Sequence, residues 1–481
     1  MHKTSGTREF VSKLTFRSFA LSLHKTSGTR EFVSKLTFRP FALSLHKTSR
    51  ALTCRMPPNR INDIMRYIIN APDRLDAAVS LPASKSVSNR ALLINALAGS
   101  WIMPDNLSDC DDTLVMLDAL RRMPATVDIG AAGTAMRFLT AYLAATPGEH
   151  VITGTERMRH RPIRALVDAL RRLGADIMYD GDEGYPPLRI NGRRLEGGRL
   201  EMPGGISSQY ISALLMLGPV LERGLELRLT GEVVSRPYID LTLCMMRDYG
   251  ADAEWTDVDM VTVRPKPYEP RPFFIENDWS AASYWYETLV LAGNDEPEVR
   301  LDGLMDGSRQ GDSAVKYLFS MLGVRTVFKT RERGVPTTVT LKRVEPVPPR
   351  LDYDFVNQPD LAQTLVVCCA LAGVPFRFTG LASLKIKETD RMEALKTEMR
   401  KLGYVVRETA PGELSWDGER CGRTEDIVID TYEDHRMAMA FAPAAMVFPG
   451  LKINEPQVVS KSYPHFWDEM RRAGFTITEE G

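Results

Sequence analysis

The chain has 481 residues, 44% of them hydrophobic and 26% charged, values that predict two or more globular domains and exclude collagen, mucin and wholesale disorder. Its net charge of −1 conceals a split: residues 1–64 hold 12 Lys/Arg against 3 acids, whereas the remainder holds 49 against 59, a balance of −10. A body at −10 argues against a general nucleic-acid surface, so any anion site must concentrate positive charge locally.

The first segment reads as a leader, not a domain. Residues 2–23 recur almost unchanged at 24–45, differing at Ser18 and Pro40, and a third copy stops after Ser49. Fold repeats diverge while keeping a pattern, so a near-identical copy reads as duplicated coding DNA translated ahead of a start at Met65, with Met56 the other candidate. A basic, acid-poor organelle-targeting leader and a functional tail are the alternatives. Fold reasoning therefore begins near residue 65.

Along the body, amphipathic helical patterns closed by a small residue and followed by a strand recur. They occupy 166–177, 241–255, 317–327, 395–406 and 466–477, with glycines at 174, 250, 323, 403 and 474 spaced 71–80 residues apart. Glycine there can take the left-handed conformation that closes a helix. A sixth copy at 113–129 has Met123-Pro124 in place of glycine. Any α/β protein contains such joints, but near-regular spacing favours repeated α/β units of some 70–80 residues. The longest apolar run, Leu365 to Val374, is about half the length of a membrane-spanning helix. Six scattered cysteines, without a CxxC pair, suit neither a disulfide framework nor a metal site and predict a cytoplasmic protein.

The chemistry lies in short segments at element boundaries, and no phosphate-binding P-loop, dinucleotide fingerprint or HExxH is present. In LPASKSVSNRALL (81–93), a strand over Ala77–Leu81 runs into Pro82 and a helix is expected from about Ser88, capped by Ser86 or Ser88, with Lys85 and Arg90 making an anion site. GAAGTAMRFL (130–139) places Gly133, Thr134 and Arg137 at another helix start, and GTERMRHRPI (154–163) packs Arg157, Arg159 and Arg161 beside a proline. Ser207, Ser208 and Gln209 offer neutral donors after two glycines; Ser235, Arg236 and Tyr238 follow in SRPYID. Asp360 precedes a buried run. In KETDR, Lys387 and Glu388 stand one helical turn from Arg391, neighbours able to shift each other's pKa. Asp434, His435 and Arg436 head an apolar helix, and Lys461 lies in SKSYPHF. Each segment alone also reads as a capped helix or a solvated charge pair. Jointly they supply the missing positive charge and imply two small, highly anionic ligands, with acid/base groups and neither metal nor cofactor.

This set, in this order, resembles the 3-phosphoshikimate 1-carboxyvinyltransferase (EPSP synthase) family, from about Met65 to the C-terminus. The resemblance implies an α/β (α+β) fold of two inside-out barrels, each of three βαβαββ units, divided as 65–83 plus 277–481 and 84–276. It implies transfer of the enolpyruvyl group of phosphoenolpyruvate to the 5-hydroxyl of shikimate 3-phosphate, by a cytoplasmic monomer that binds neither nucleic acid nor membrane. Carried over by position, Ser86 and Arg90 hold the shikimate carboxylate, and Ser207, Ser208 and Ser235, with Tyr238 a further candidate, hold its phosphate. Lys85, Arg157, Gln209 and Lys461, beside Gly133 and Thr134, take the phosphate of phosphoenolpyruvate, and Arg391 with Arg436 takes its carboxylate; Lys85 and Gln209 touch both substrates. Asp360 is the proton acceptor near the 5-hydroxyl with Lys387 beside shikimate 3-phosphate, Lys85 also counts among the catalytic residues, and Glu388 is the second acid/base group with His435 as a partner. Three positions depart from the family pattern: Ala131 and Ser383 stand where it often has Asn, and Phe138 where Pro is common. The alternatives are an enolpyruvyltransferase acting on UDP-N-acetylglucosamine, which typically uses a loop cysteine, and an inactive anion-binding homologue.

Overall fold

Five of the six helix–glycine–strand joints turn as their spacing predicts. The helix Arg164–Arg172 buries Leu166, Val167, Ala169 and Leu170, ends through Gly174 at φ +100°, and feeds the strand Asp176–Tyr179. Gly250, Gly323, Gly403 and Gly474 repeat the device at φ between +80° and +96°, a range that side chains resist and glycine tolerates. The computed structural model describes residues 65–330, 332–344 and 348–480. The duplicated leader, Met56 and the expectations about their origin lie outside them.

The described strands form five four-stranded sheets, all built alike. In one, Thr126–Asp128 pairs parallel with Gly148–Thr153, which pairs antiparallel with Leu188–Gly192, which pairs antiparallel with Asp176–Tyr179. The same parallel–antiparallel–antiparallel pattern recurs in the sheets that begin at Gly198–Pro203, Asp76–Val79, Leu351–Asp354 and Val428–Ile429. Parallel neighbours need a crossover, and a helix supplies it each time. The apolar run Leu365 to Val374 starts within the helix Ala362–Leu371, buried along its length up to Ala370, and continues past its end. No described helix is long and apolar enough to cross a membrane.

The sixth joint differs. The helix Asp111–Arg122 ends at Met123, itself left-handed at φ +44°, and leads directly into Thr126–Asp128, the first strand of the next sheet. No described hairpin covers that helix pair, which leaves Trp101 59% and Leu114 49% exposed.

The buried apolar residues form two clusters. One draws on Ile69 to Leu81 and Trp279 to Phe475, the other on Ala83 to Ile275. The chain passes between them twice, side by side: Ser84 N donates to Glu276 O and Asp278 N to Pro82 O, both at 2.9 Å. The Glu276 carboxylate braces this crossing, accepting from Trp279 Nε1, Met305 N, Ser308 Oγ and Gln310 Nε2 at 2.6–2.9 Å. One local expectation is corrected here. The first helix begins at Lys85, not near Ser88, with Ser84 as its N-cap residue and no side-chain cap; Ser88 is buried and its hydroxyl accepts from Ser108 N. Pro82 and the crossing fix the chain direction early enough to start the helix one turn sooner.

Candidate functional site

A cavity of about 580 Å³ lies where elements on the two cores face each other. It is lined by Lys85, Ser86, Arg90, Gly133, Thr134, Ser207, Ser208, Gln209, Ser235, Tyr238, Asp360, Lys387, Glu388, Arg391, His435 and Arg436. Sixteen of the eighteen residues that the resemblance assigns to the site therefore share one surface. Lys461 stands just behind it, with Nζ 3.1 Å from Glu388 Oε1.

The helix Lys85–Leu97 points its N-terminus at the cavity. Arg90, 3% exposed, donates to Thr242 Oγ1 at 2.7 Å, Ser212 Oγ at 3.1 Å and the carbonyl of Ser86. Phe138 lies 5.5 Å from its guanidinium, so this departure from the family pattern packs against a residue that lines the cavity. Burial pushes the Arg90 pKa down to about 10, and the group stays cationic. For Lys85, burial opposes the charge most strongly, yet Asp112 at 3.6 Å and the buried Cys110 raise its pKa.

Gly133 opens the helix Gly133–Ala145. A Cβ there would stand 2.6 Å from Arg161 Nη1 and 2.8 Å from Arg137 Nη1, so glycine is what lets two guanidiniums gather at this helix end. Gln209 Nε2 donates to Thr134 Oγ1 at 3.1 Å, and Ser207 caps the helix Ser208–Leu217. Ser235, left-handed at φ +56°, donates its N–H to Val356 O at 2.8 Å.

The opposite wall is a lattice of charge. Asp360 accepts from Arg391 Nη1 at 2.9 Å and Arg436 Nη2 at 3.2 Å, with Lys387 Nζ at 3.5 Å. Arg391, 1% exposed, also pairs with Glu388 at 2.9 Å and Asp434 at 2.7 Å, which commits it to three carboxylates. Glu388 meets Lys461 and Arg161, the latter at 3.8 Å. Burial, the largest influence on Asp360, would raise its pKa, but Arg436, Lys387 and Arg391 together hold it well below the usual carboxylate range. Glu388 is likewise held low against burial, by Lys461, Arg391 and Arg161. His435 is buried beside Lys85 and Arg436 and is pushed well below its ordinary value, first by burial. Its imidazole is neutral at neutral pH, and neither ring nitrogen has a partner among the described residues.

Arg157 stands elsewhere. It does not line the cavity, donating instead to Tyr432 O at 2.9 Å and pairing with the exposed Glu433 at 3.2 Å. The short helix Glu156–Arg159 carries Arg157 outward; Arg161, after its last turn and held by Pro162, enters the cavity. The three arginines of that segment look alike in sequence, and the proline next to Arg161 is the signal that separates them. Asp112, Arg137 and Ser383 also line the cavity, whereas Ala131 is exposed and does not. Burial raises the pKa of Cys110, which leaves it a poor nucleophile at neutral pH.

The EPSP synthase (3-phosphoshikimate 1-carboxyvinyltransferase) family model matches residues 69–128 and 123–470. A 3-phosphoshikimate 1-carboxyvinyltransferase of Bacteroides fragilis is 59% identical over 413 residues, 86% of this chain and 99% of the relative. One from Shewanella halifaxensis is 34% identical over 82% of this chain and 96% of its own. An EPSP synthase structure from Acinetobacter baumannii superposes with a TM-score of 0.69 at 21% identity, over 87% of this chain and all of that one. An enolpyruvyl transferase from Streptomyces tendae gives 0.65 at 17%, over 87% of this chain and 99% of its own. These two confirm the two-barrel α/β fold. The chain belongs to the EPSP synthase family.

Proposed function

We propose that the protein transfers the enolpyruvyl group of phosphoenolpyruvate to the 5-hydroxyl of shikimate 3-phosphate and releases phosphate. The carrying observation is the cage in which Lys85, Arg161, Lys387, Arg391, Arg436 and Lys461 surround Asp360 and Glu388. Two substrates that each carry a phosphate and a carboxylate fit such a cage, because charge-assisted bonds to fixed cations hold them without a metal. Protonating the methylene carbon makes C2 of phosphoenolpyruvate electrophilic. The 5-hydroxyl oxygen bonds to C2 as its proton leaves, and the tetrahedral intermediate then loses a methyl proton and expels phosphate.

In this reading Ser86 and Arg90 hold the shikimate carboxylate, and Ser207, Ser208 and Ser235 its phosphate. Lys85, Arg161, Gln209 and Lys461 hold the phosphate of phosphoenolpyruvate, with Arg161 in the place expected for Arg157. Arg436 and Arg391 face its carboxylate. Asp360 and Glu388 exchange protons, and the neutral His435 supports Glu388. Anions entering the cage offset the cations that keep both carboxylates weakly basic, so basicity returns where protons must move. The division into 65–83 plus 277–481 and 84–276 belongs to the proposal; the two cores and the double crossing at Ser84 and Glu276 support it. A monomeric state and a cytoplasmic location also belong to the proposal, the latter in keeping with the free described cysteines.

Phosphate release tests this reading, measured with phosphoenolpyruvate and shikimate 3-phosphate and in a control lacking the latter. Release that requires both substrates is expected. Release with phosphoenolpyruvate and UDP-N-acetylglucosamine instead, or none although both ligands bind, would overturn it.

A further inference from the structure

Asp312 belongs to no charged motif of the sequence, yet it lies one hydrogen bond from the cavity. It sits in the turn Gly311–Ala314 and is 3% exposed. The Tyr238 hydroxyl donates to its Oδ1 at 2.7 Å, and the Ser280 hydroxyl donates to its Oδ2. Burial is the largest influence on its pKa, Arg436 opposes that and Asp360 adds to it, and the value rises to about 6. At neutral pH it is therefore mostly ionised. An ionised carboxylate only accepts hydrogen bonds, so both hydroxyls must turn their protons toward it.

The consequence falls on Tyr238, which lines the cavity. A phenol has one proton; with that proton on Asp312, its oxygen offers the cavity lone pairs alone. Such an oxygen pairs with a ligand hydroxyl and repels an ionised phosphate or carboxylate. We propose that Asp312 is a positioning residue that fixes Tyr238 as an acceptor, so that Tyr238 receives a ring hydroxyl of shikimate 3-phosphate and does not hold its phosphate. This rests on the function proposed above and departs from the place that the family resemblance gives Tyr238. The pair also spans the two cores. Tyr238 belongs to the helix Arg236–Asp248, which packs on one, and Asp312 precedes the helix Val315–Met321, which packs on the other. Tyr238 is thus oriented only with both walls in place.

The test is calorimetric binding of shikimate 3-phosphate to the full chain and to Tyr238→Phe, Asp312→Asn and the double variant, with phosphate release followed in parallel. An asparagine can turn its amide N–H toward the phenol and free the phenol proton to face the cavity. Each single variant should weaken binding by up to about tenfold, the loss of roughly one neutral hydrogen bond. The double variant should bind no worse than Tyr238→Phe, and the KM for shikimate 3-phosphate should rise with kcat and the KM for phosphoenolpyruvate little changed. Inorganic phosphate should compete better against Asp312→Asn than against the unaltered protein. Additive losses in the double variant overturn the proposal, as does unchanged binding by Tyr238→Phe, a readout that stands even where Asp312→Asn fails to fold. Binding without turnover by the unaltered protein counts against the proposed reaction and leaves the Asp312 result readable; no binding at all defeats both.

Discussion

Arg161→Ala and Arg157→Ala separate the structural reading of the site from the sequence-based one. Arg161 has a side chain 14% exposed and stands 3.8 Å from Glu388, against the helix end that Gly133 leaves open. Arg157 is 39% exposed and its carboxylate partner Glu433 66% exposed. Removing the Arg161 guanidinium deletes one or two hydrogen bonds to a phosphate. At roughly 1.5–3 kcal/mol for each charge-assisted bond and about 1.4 kcal/mol per tenfold, the KM for phosphoenolpyruvate should rise about 10-fold for one weak bond and up to about 10⁴-fold for two strong ones. Removing Arg157 deletes a solvent-screened pair worth at most about 1 kcal/mol, so that KM should move less than about fivefold. The assay is the initial rate of phosphate release with phosphoenolpyruvate varied and shikimate 3-phosphate saturating. A larger rise for Arg157→Ala than for Arg161→Ala would refute the assignment.

Gly133→Ala tests the same helix end without deleting a charge. The added methyl meets only the flexible tips of Arg161 and Arg137, so the melting temperature should hold while the KM for phosphoenolpyruvate rises roughly tenfold; a fall in stability with an unchanged KM would contradict this. Asp360→Asn leaves three cations facing a neutral amide, and kcat should fall by about 10²–10⁴-fold, the usual range for a lost acid/base group. Near-normal turnover by a folded variant would remove Asp360 from the chemistry. Glu287, fully buried in the helix Trp279–Leu291, has both carboxylate oxygens unpartnered among the described residues, and burial lifts its pKa well above the ordinary 4.5. The folded state then binds its proton more tightly than the unfolded chain, so Glu287 erodes stability progressively as pH climbs above the unfolded value. Denaturant melts between about pH 5 and about pH 8 should show a flatter slope for Glu287→Gln than for the unaltered protein. Equal slopes would mean that Glu287 is charged and compensated in the fold.

The repeated joints were legible because a helix must end and glycine at positive φ is an inexpensive way to end it; five glycines at regular spacing therefore disclosed five sheets. The sixth unit was legible only in part. Met123-Pro124 announced a different ending, but the absence of a covering hairpin depends on how few residues separate Arg122 from the strand at Thr126, which periodicity does not register. Site residues were legible wherever charge stood at an element boundary, since such groups have little structural reason to be there. Arg157 and Arg161 show where that logic fails. Both are basic, four residues apart and beside the same turn; charge placement does not distinguish them, and the proline after Arg161 is the one local difference that marks which enters the cavity. Asp312 was beyond sequence reasoning for another cause. Its significance lies in a hydrogen bond to a residue 74 positions away, contributed by an element on the other core.

In the proposed reaction, the electrostatics explain why the two acid/base groups need the cage that silences them. Asp360 and Glu388 are nearly buried, and an isolated buried carboxylate takes up a proton and becomes neutral. Arg436, Lys387 and Arg391 keep Asp360 charged against that tendency, and Lys461, Arg391 and Arg161 do the same for Glu388. Of these cations, Arg161, Lys387, Arg391 and Arg436 line the cavity, with Lys461 just behind it. A phosphate or carboxylate arriving there competes with Asp360 and Glu388 for those partners and loosens their hold on both. Binding and activation are then one event: the anions that the cage selects are the agents that restore its bases. This arrangement confines basicity to the occupied site, where the hydroxyl to be deprotonated is already in place, and it requires the cations to be shared between protein carboxylates and substrate. Arg391, bound to three carboxylates at once, is the group through which a change at Glu388 is felt at Asp360.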